Sequence, residues 1–405
     1  MTNLRAENIQ ALKRQRTALE KHRKVKSMTS GKVEVKEELI EQFYSKKQLV
    51  GALNISDAQF EEVKKGMIED GYIFNQNNSN QYQLDRVQAI EFVKRCGVKS
   101  FKEIRKEKNI SPSVVVVQTA KGGVGKSTTA QGVAIEAALD PIRNMRVCLV
   151  DFDPQGTQRV FLSKEAVDAK DDNYISFVDK FQDWMDDDLE TRKEKREFYR
   201  NELLEDVIIP TSVPALKLIP SVLTDLSFQL YSSAKLLEEG KQFSMSYVRD
   251  MIIEPLKDDF DLFVFDLGPS PDMFLMNALY AATDLLMPAT GKPIDFRAYE
   301  KHLVNLEYVF KEMLPEDWKG LNSIKTIINR ATKADKVVWK NVSTILSVSD
   351  CLPEIIQESV AFSQSAEDYK PIQLYKTRKA SVREAQNSMN RLYQSYIDVV
   401  SERFL

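Results

Sequence analysis

The sequence predicts an α/β chain: a mostly parallel sheet with helices on both faces, preceded by a small α-helical domain and an N-terminal helix. Three observations predict it. Six short apolar runs, 114–117, 147–150, 216–219, 262–265, 285–288 and 324–328, alternate with stretches of helical spacing, the texture of buried parallel strands joined by helices. A glycine-rich run, "KGGVGKST" at 121–128, follows directly on the first of them. Ahead of it, residues 45–84 read as helix, turn, helix and hairpin.

The N-terminal helix rests on residues 1–26, which hold eight basic and two acidic residues with Leu4, Leu12 and Leu19 in near-heptad spacing. Those leucines have no core of their own to enter. The helix either pairs with another chain or folds back; pairing is favoured, so 1–44 is expected to be a dimerisation segment. "SMTSGK", 27–32, is a break.

The second domain, 45–110, starts with a helix over 45–53 and a turn at "NIS". A second helix over 57–70 has Phe60, Val63 and Met67 on one face and Gly71 as its cap, and β-like pieces at 72–74 and 81–84 follow. This is the order of a winged helix-turn-helix, whose second helix enters the DNA major groove. Its alternative is a helical adaptor with no DNA role. The charged run 99–113, ending in proline, reads as a linker.

The third domain, 111–405, carries the alternating runs. Residues 165–206, highly charged, read as an exposed helical insertion, and the C-terminal helical stretch as one that packs on the sheet.

Composition narrows the chemistry. The longest apolar runs fall short of the roughly 20 residues a membrane helix needs, and no apolar signal segment opens the chain, so it is expected in the cytoplasm. Cys96, Cys148 and Cys351 lack disulfide or zinc-site spacing, and His22 and His302 alone cannot supply histidine triads or metal clusters. Charge is uneven: residues 1–110 hold 22 Lys+Arg against 15 Asp+Glu, and residues 111–405 hold 35 against 45. A basic first part suits an acidic partner such as DNA, or is simply a solvated face.

Strand, glycine-rich loop and helix stand in the order a phosphate-binding loop demands, as in a P-loop NTPase sheet. The backbone N–H groups of Gly122, Gly123, Val124, Gly125 and Lys126 can wrap a phosphate, with Thr128 completing the motif. Lys126 can bridge β- and γ-phosphates and the Ser127 hydroxyl can hold Mg²⁺. Asp151 and Asp153 fall at the carboxyl end of one apolar run, and Asp266 at that of another, where ligands bind in open α/β sheets. Lys121, just before the first glycine, is a second lysine that the general pattern does not require.

"KGGVGKST", "VDFDPQG" and "FDLGPS" resemble the deviant Walker A, switch I and Walker B/switch II motifs of the ParA/MinD family over about residues 112–405. With the N-terminal helix and helix-turn-helix, the whole chain resembles the larger, type Ia, partition ATPases of low-copy plasmids and secondary bacterial chromosomes. The resemblance implies an ATPase with ATP and Mg²⁺ as cofactors. It implies that Lys121 reaches the partner's phosphates in a nucleotide-sandwich dimer, like an arginine finger supplied in trans. It further assigns Asp153 to orienting the attacking water, Asp266 to the magnesium shell, Asp151 to supporting the metal site or switch I, and Asn329 to the adenine, where the plain alternative is a strand-end turn. Two departures are present: "DLGPS" puts Gly268 where the family often has proline, and Ala361 stands where some relatives have a DNA-contacting arginine.

The expected function is a DNA partition ATPase that dimerises on ATP and coats nucleoid DNA without sequence preference; whether the dimers extend into a filament on DNA is not read from the sequence. A ParB-type centromere-binding protein stimulates it, and the helix-turn-helix autorepresses its operon. The alternative is a nucleotide-gated transcription repressor. A MinD-like membrane switch is disfavoured by the C-terminal sequence, and a nitrogenase iron-protein role by the missing switch-region cysteines. DNA contacts are expected from Lys64 and Lys65 on the second helix and from Lys340, Lys376, Arg378 and Lys379, the last three within the basic stretch 370–383. The bland reading of that stretch is a solvated loop and helix start.

Overall fold

The computed structural model describes Gln15 and residues 43–76, 81–163, 174–332, 334–377 and 379–404. The expected dimerisation segment 1–44 lies outside them apart from Gln15, Phe43 and Tyr44, as do Lys333 and Arg378. The chain divides into two compact units, Met1–Glu38 and Leu39–Leu405, and the second is the one described below.

Its first part is a small module. β1 (Tyr44–Ser45) leads into α1 (Lys46–Leu53) and α2 (Asp57–Glu69), and β2 (Asn75–Gln76) and β3 (Tyr82–Leu84) complete an antiparallel sheet in the order β1-β3-β2. α3 (Arg86–Arg95) and α4 (Phe101–Lys108) follow. The sequence dictates all four helix starts by the same device. Ser45, Ser56, Asp85 and Ser100 accept from the backbone three residues on, where Gln48, Gln59, Gln88 and Glu103 reach back, each pair satisfying two otherwise orphaned N–H groups. Tyr44, Leu49, Phe60, Met67, Leu84, Ala89, Phe92 and Val93 bury one another.

Two sequence expectations change here. Residues 72–74 are not a strand, because Gly71 turns the chain at φ +91° and the Tyr72 N–H stays bonded to Met67 O at the end of α2. The expected linker is α4, because Phe101 and Arg105, four residues apart, both turn inward and anchor it.

The main sheet has eight strands in the order β11-β10-β9-β4-β8-β5-β7-β6. They are β4 (Ser113–Val117), β5 (Val147–Phe152), β6 (Ile209–Pro210), β7 (Leu216–Ile219), β8 (Leu262–Leu267), β9 (Asp284–Ala289), β10 (Ser323–Ala331) and β11 (Cys351–Gln357). All pairings are parallel except β6 with β7. The six expected runs are the six long-patterned strands. β6 escaped notice because it is two residues long, and β11 because Pro353 and Glu354 interrupt its apolar pattern.

Strand side chains alternate between two cores. Val114, Val116, Cys148, Val150, Phe263 and Phe265 enter one, and Val115, Val117, Val147, Leu149, Leu262 and Val264 the other. The second is covered by α5 (Lys126–Leu139) and a long C-terminal helix, which buries Leu392, Tyr393, Tyr396, Ile397 and Val400 as expected. The first holds the segment expected to be an exposed insertion. α7 (Phe177–Trp184), α8 (Leu189–Glu194) and α9 (Arg196–Glu202), which follow α6 (Thr157–Leu162), send Phe177, Phe181, Trp184 and Tyr199 inward, and Phe152 lies 6.0 Å from Phe177, ring centre to ring centre. The aromatic residues outweigh the acidic ones that surround them, so the segment is a core layer with a charged outer face.

α10 (Ser227–Glu239) and α11 (Met273–Ala281) lie on this face, and Phe228 stacks on Phe274 at 4.4 Å. The remaining helices used below are α12 (Pro293–Tyr308), α13 (Lys336–Val348), α14 (Val360–Glu367) and α15 (Ala380–Ser401), the C-terminal helix. Among the described residues no helix is long and apolar enough to cross a membrane.

Candidate functional site

β4, β5 and β8 are adjacent and parallel, so their carboxyl ends open on one side. The loop after β4 runs into α5, whose cap Gly125 sits at φ +93°, and a side chain there would come within 2.8 Å of Asn329 Nδ2. Only glycine serves both demands. A cleft of about 460 Å³ opens above the loop, lined by Gly122, Gly123, Gly125, Lys126, Ser127, Thr128, Asp153, Asn329 and Arg330 among others.

Lys126 is buried, and its ammonium donates to the carbonyl of Lys121 across the loop at 3.1 Å. Burial holds its pKa below the ordinary lysine range, against the attraction of Asp266 and Asp153. Lys121 itself is part-exposed, with Nζ 3.9 Å from Asp295 Oδ1 on α12.

Asp151 and Asp266, at the ends of β5 and β8, are fully buried. Asp151 accepts from the backbone N–H of Asp153 at 3.1 Å and of Gln158 at 3.0 Å, while burial and the charge of Asp266 push its pKa up. Asp266 is pushed up to about 6 by burial, opposed by hydrogen bonds from Gln158 and Ser127. Asp153 lines the cleft and accepts from the Gln155 N–H at 3.0 Å.

Gln158, on α6, was not singled out from the sequence, although it lies two residues beyond the stretch "VDFDPQG". Its side-chain amide donates to Asp266 Oδ2 at 2.7 Å and to Ser127 O at 3.0 Å, and its oxygen accepts from Gln131 at 3.0 Å. It ties the loop, the β5 end and the β8 end into one network. Asp266 Oδ1 is left buried without a hydrogen-bond partner. A fully buried carboxylate oxygen with that vacancy, beside the Ser127 hydroxyl, fits a hard divalent cation.

Asn329, two residues before the end of β10, donates to Val124 O at 3.1 Å and Thr129 Oγ1 at 3.0 Å, with Oδ1 buried and unpartnered. Its neighbour Arg330, in a left-handed conformation at φ +53°, donates to Gly123 O at 2.8 Å and to Glu358 at 3.0 Å. The two consecutive side chains therefore hold two consecutive carbonyls of the loop.

The structure thus brings Lys121, the loop residues 122–128, Asp151, Asp153, Asp266 and Asn329 together. The expected DNA-contacting residues lie elsewhere. Lys65, Lys340, Lys376 and Lys379 are exposed. Lys64 is turned inward, with its ammonium 3.9 Å above the Tyr82 ring and paired to Glu61. Arg378 is outside the described residues.

The AAA domain family matches residues 112–315, half of the chain. Plasmid partition protein A of Escherichia coli is 24% identical over 341 residues, covering 82% of this chain and 81% of that protein. Sporulation initiation inhibitor protein Soj of Bacillus subtilis (strain 168) is 26% identical, covering 65% of this chain and 92% of that protein. Among solved structures, a partition protein superposes with a TM-score of 0.62 at 20% identity, covering 95% of this chain and 97% of that one. A Cyanothece McdA–ATP complex superposes with a TM-score of 0.51 at 17% identity, covering 70% and 96%. At those identities the superpositions speak to fold alone. Family match, curated relatives and loop motifs agree: the chain belongs to the ParA/MinD family of P-loop ATPases with a deviant Walker motif.

Proposed function

We propose that this protein is an ATP-dependent DNA partition ATPase. The observation that carries the reading is the convergence of Lys126, Ser127, Asp153 and Asp266 on one cleft, with a buried carboxylate oxygen unpartnered there. Lys126 exchanges the Lys121 carbonyl for the β- and γ-phosphates of ATP. Ser127 and Asp266, supported by Asp151, would hold Mg²⁺, which when bound neutralises phosphate charge. Asp153 orients the attacking water, and Asn329, which lines the cleft, contacts the adenine. Lys121 leaves Asp295 to meet the phosphates of a second copy, which makes the active form a dimer. Its positive charge stands where the transferring phosphoryl group builds negative charge.

We further propose residues 45–110 as a winged helix-turn-helix that binds an operator and autorepresses the operon, through α2 and its exposed Lys65 rather than through the inward Lys64. Residues 111–405 form the ATPase domain, and 1–44 a dimerisation segment. A ParB-type partner stimulates hydrolysis. The E. coli relative, similar over four-fifths of both chains and named for plasmid partition, supports this reading.

The test is electron microscopy and co-sedimentation with random-sequence duplex DNA, with and without a slowly hydrolysed ATP analogue. Analogue-dependent coating of DNA is expected. Binding restricted to an operator, with no nucleotide-dependent coating, would instead favour a nucleotide-gated repressor.

A further inference from the structure

β4 ends at Val117, which pairs with Asp266 of β8, so Gln118 and the end of β8 leave the sheet side by side. Gln118 is buried, and its backbone is fixed from two directions: the N–H donates to Leu286 O of β9 at 3.0 Å, and the buried His302 of α12 hydrogen-bonds the Gln118 backbone. From that base the side chain crosses to the segment after β8, where Nε2 donates to Gly268 O at 3.2 Å. Its oxygen, Oε1, is buried without a hydrogen-bond partner. An acceptor left so is costly, so the bond to Gly268 is what sets the orientation of the carboxamide.

The segment it reaches has a soft joint at its start. Glycine is free to rotate, and a side chain placed on Gly268 would meet nothing within 4 Å, so packing does not hold it. Beyond it, Pro269 and Pro271 have φ fixed by their rings and no N–H to anchor them. Asp272 then caps α11, accepting from the Leu275 N–H at 3.1 Å. A turn at Gly268 therefore swings Pro269, which lines the cleft together with Asp153. The charge of Asp153 is felt at Asp272, so this wall of the cleft stands beside the carboxylate read as orienting water. Gly268 occupies the place where the family often has proline, whose ring would stop the rotation.

We propose that Gln118 is a positioning residue for ATP hydrolysis: by holding the Gly268 carbonyl it stiffens the segment after β8, doing with a hydrogen bond what a proline at 268 would do with its ring. This rests on reading the cleft as an ATPase site. Gln118 is not one of the residues that line the cleft. It acts on turnover through Gly268 and leaves nucleotide affinity to the loop.

The experiment is a double-mutant cycle on the full chain, reading kcat and KM for ATP with Mg²⁺, the affinity for a slowly hydrolysed ATP analogue, and the melting temperature. Gln118→Leu removes the donor together with the unpaired acceptor. It is expected to lower kcat about 10-fold and to change analogue affinity by less than about 3-fold, with the melting temperature kept. In a Gly268→Pro background the same substitution is expected to lower kcat by less than about 2-fold, because the ring has replaced the bond. Leu267 ends a strand, the conformation that a following proline favours. Gly268→Ala, whose Cβ meets open space, is expected to give an intermediate result. If Gln118→Leu does not fold, Gln118→Met, unbranched and of similar length, is read in its place with the same expectations. An equal loss of kcat in both backgrounds, or a kcat unaltered by the substitution, would overturn the proposal alone. So would a loss of analogue affinity as large as the loss of turnover, which would put Gln118 in nucleotide binding. Failure of the parent to hydrolyse ATP would overturn the reading of the cleft and the proposal with it.

Discussion

The ammonium of Lys126 is bonded to the backbone carbonyl of Lys121, 3.1 Å away, so the loop is held closed on itself by one lysine reaching under the other. The two side chains point to different tasks. Lys126→Ala is expected to weaken ADP and ATP binding about 10- to 100-fold, the worth of a charge-assisted contact to phosphate. Lys121→Ala is expected to keep nucleotide affinity within about 3-fold, since its exposed pairing with Asp295 contributes little, and to lose ATP-dependent self-association. Light scattering with ATP separates the two, and normal self-association of Lys121→Ala would remove the case for a shared site.

Asp153→Ala is expected to bind ATP as the parent does and to turn over at least about 10²-fold more slowly, because only orientation of the water is lost. Weak ATP binding in a filter assay would show that the carboxylate serves the ground state instead.

Gln158 donates to both Asp266 and Ser127 and accepts from Gln131, so Gln158→Ala removes three hydrogen bonds of the network, a loss of about 1–3 kcal/mol in stability. Gln158→Glu is expected to do worse, since it sets a third carboxylate 2.7 Å from Asp266. Thermal melts at fixed pH order the three proteins, and equal melting points would mean the network has no structural weight.

The pKa of Asp266 is raised by burial to about 6, above its ordinary value of 3.8. Its contribution to stability is therefore full below about pH 4 and is lost as pH rises through 6, when a charge must sit in the core. In the nucleotide-free protein Asp266→Asn is expected to raise the melting temperature at pH 8, to raise it less at pH 5 and to change it little below about pH 4, while abolishing magnesium-dependent ATP binding. A variant less stable than the parent at pH 8 would contradict this sign.

Lys376 and Lys379 are exposed near the start of α15. Replacing both with alanine is expected to reduce the slope of log affinity against log salt for random-sequence DNA by up to about 2 per chain. An unchanged slope with ATP present would move the DNA face elsewhere.

The sheet was legible because parallel strands must be apolar throughout, and the site because its loop and acidic strand ends sit next to such runs. What escaped was written in single residues. Gln158 is one polar residue seven positions beyond Asp151, and nothing in its neighbours says that it turns back to Asp266. Arg105 looked like one charge among many in 99–113, yet Asp261, its partner, lies 156 residues away. Tyr44 and Arg86 of the module likewise donate to the carbonyls of Leu139 and Ala138 at the end of α5, residues that no local pattern connects with them. The aromatic layer of 177–199 was hidden by its acidic surroundings, which charge counting weighs and packing does not.

The two outermost strands each contain a proline, Pro210 in β6 and Pro353 in β11. Proline offers no N–H to a newcomer, and β6 is only two residues long. Both features work against another chain pairing with the rims and lengthening the sheet, which is how many open sheets seed amyloid-like stacking. An ordered polymer of this protein is therefore expected to grow by contacts between helices and loops rather than by extension of the sheet, and to dissolve when those contacts are released.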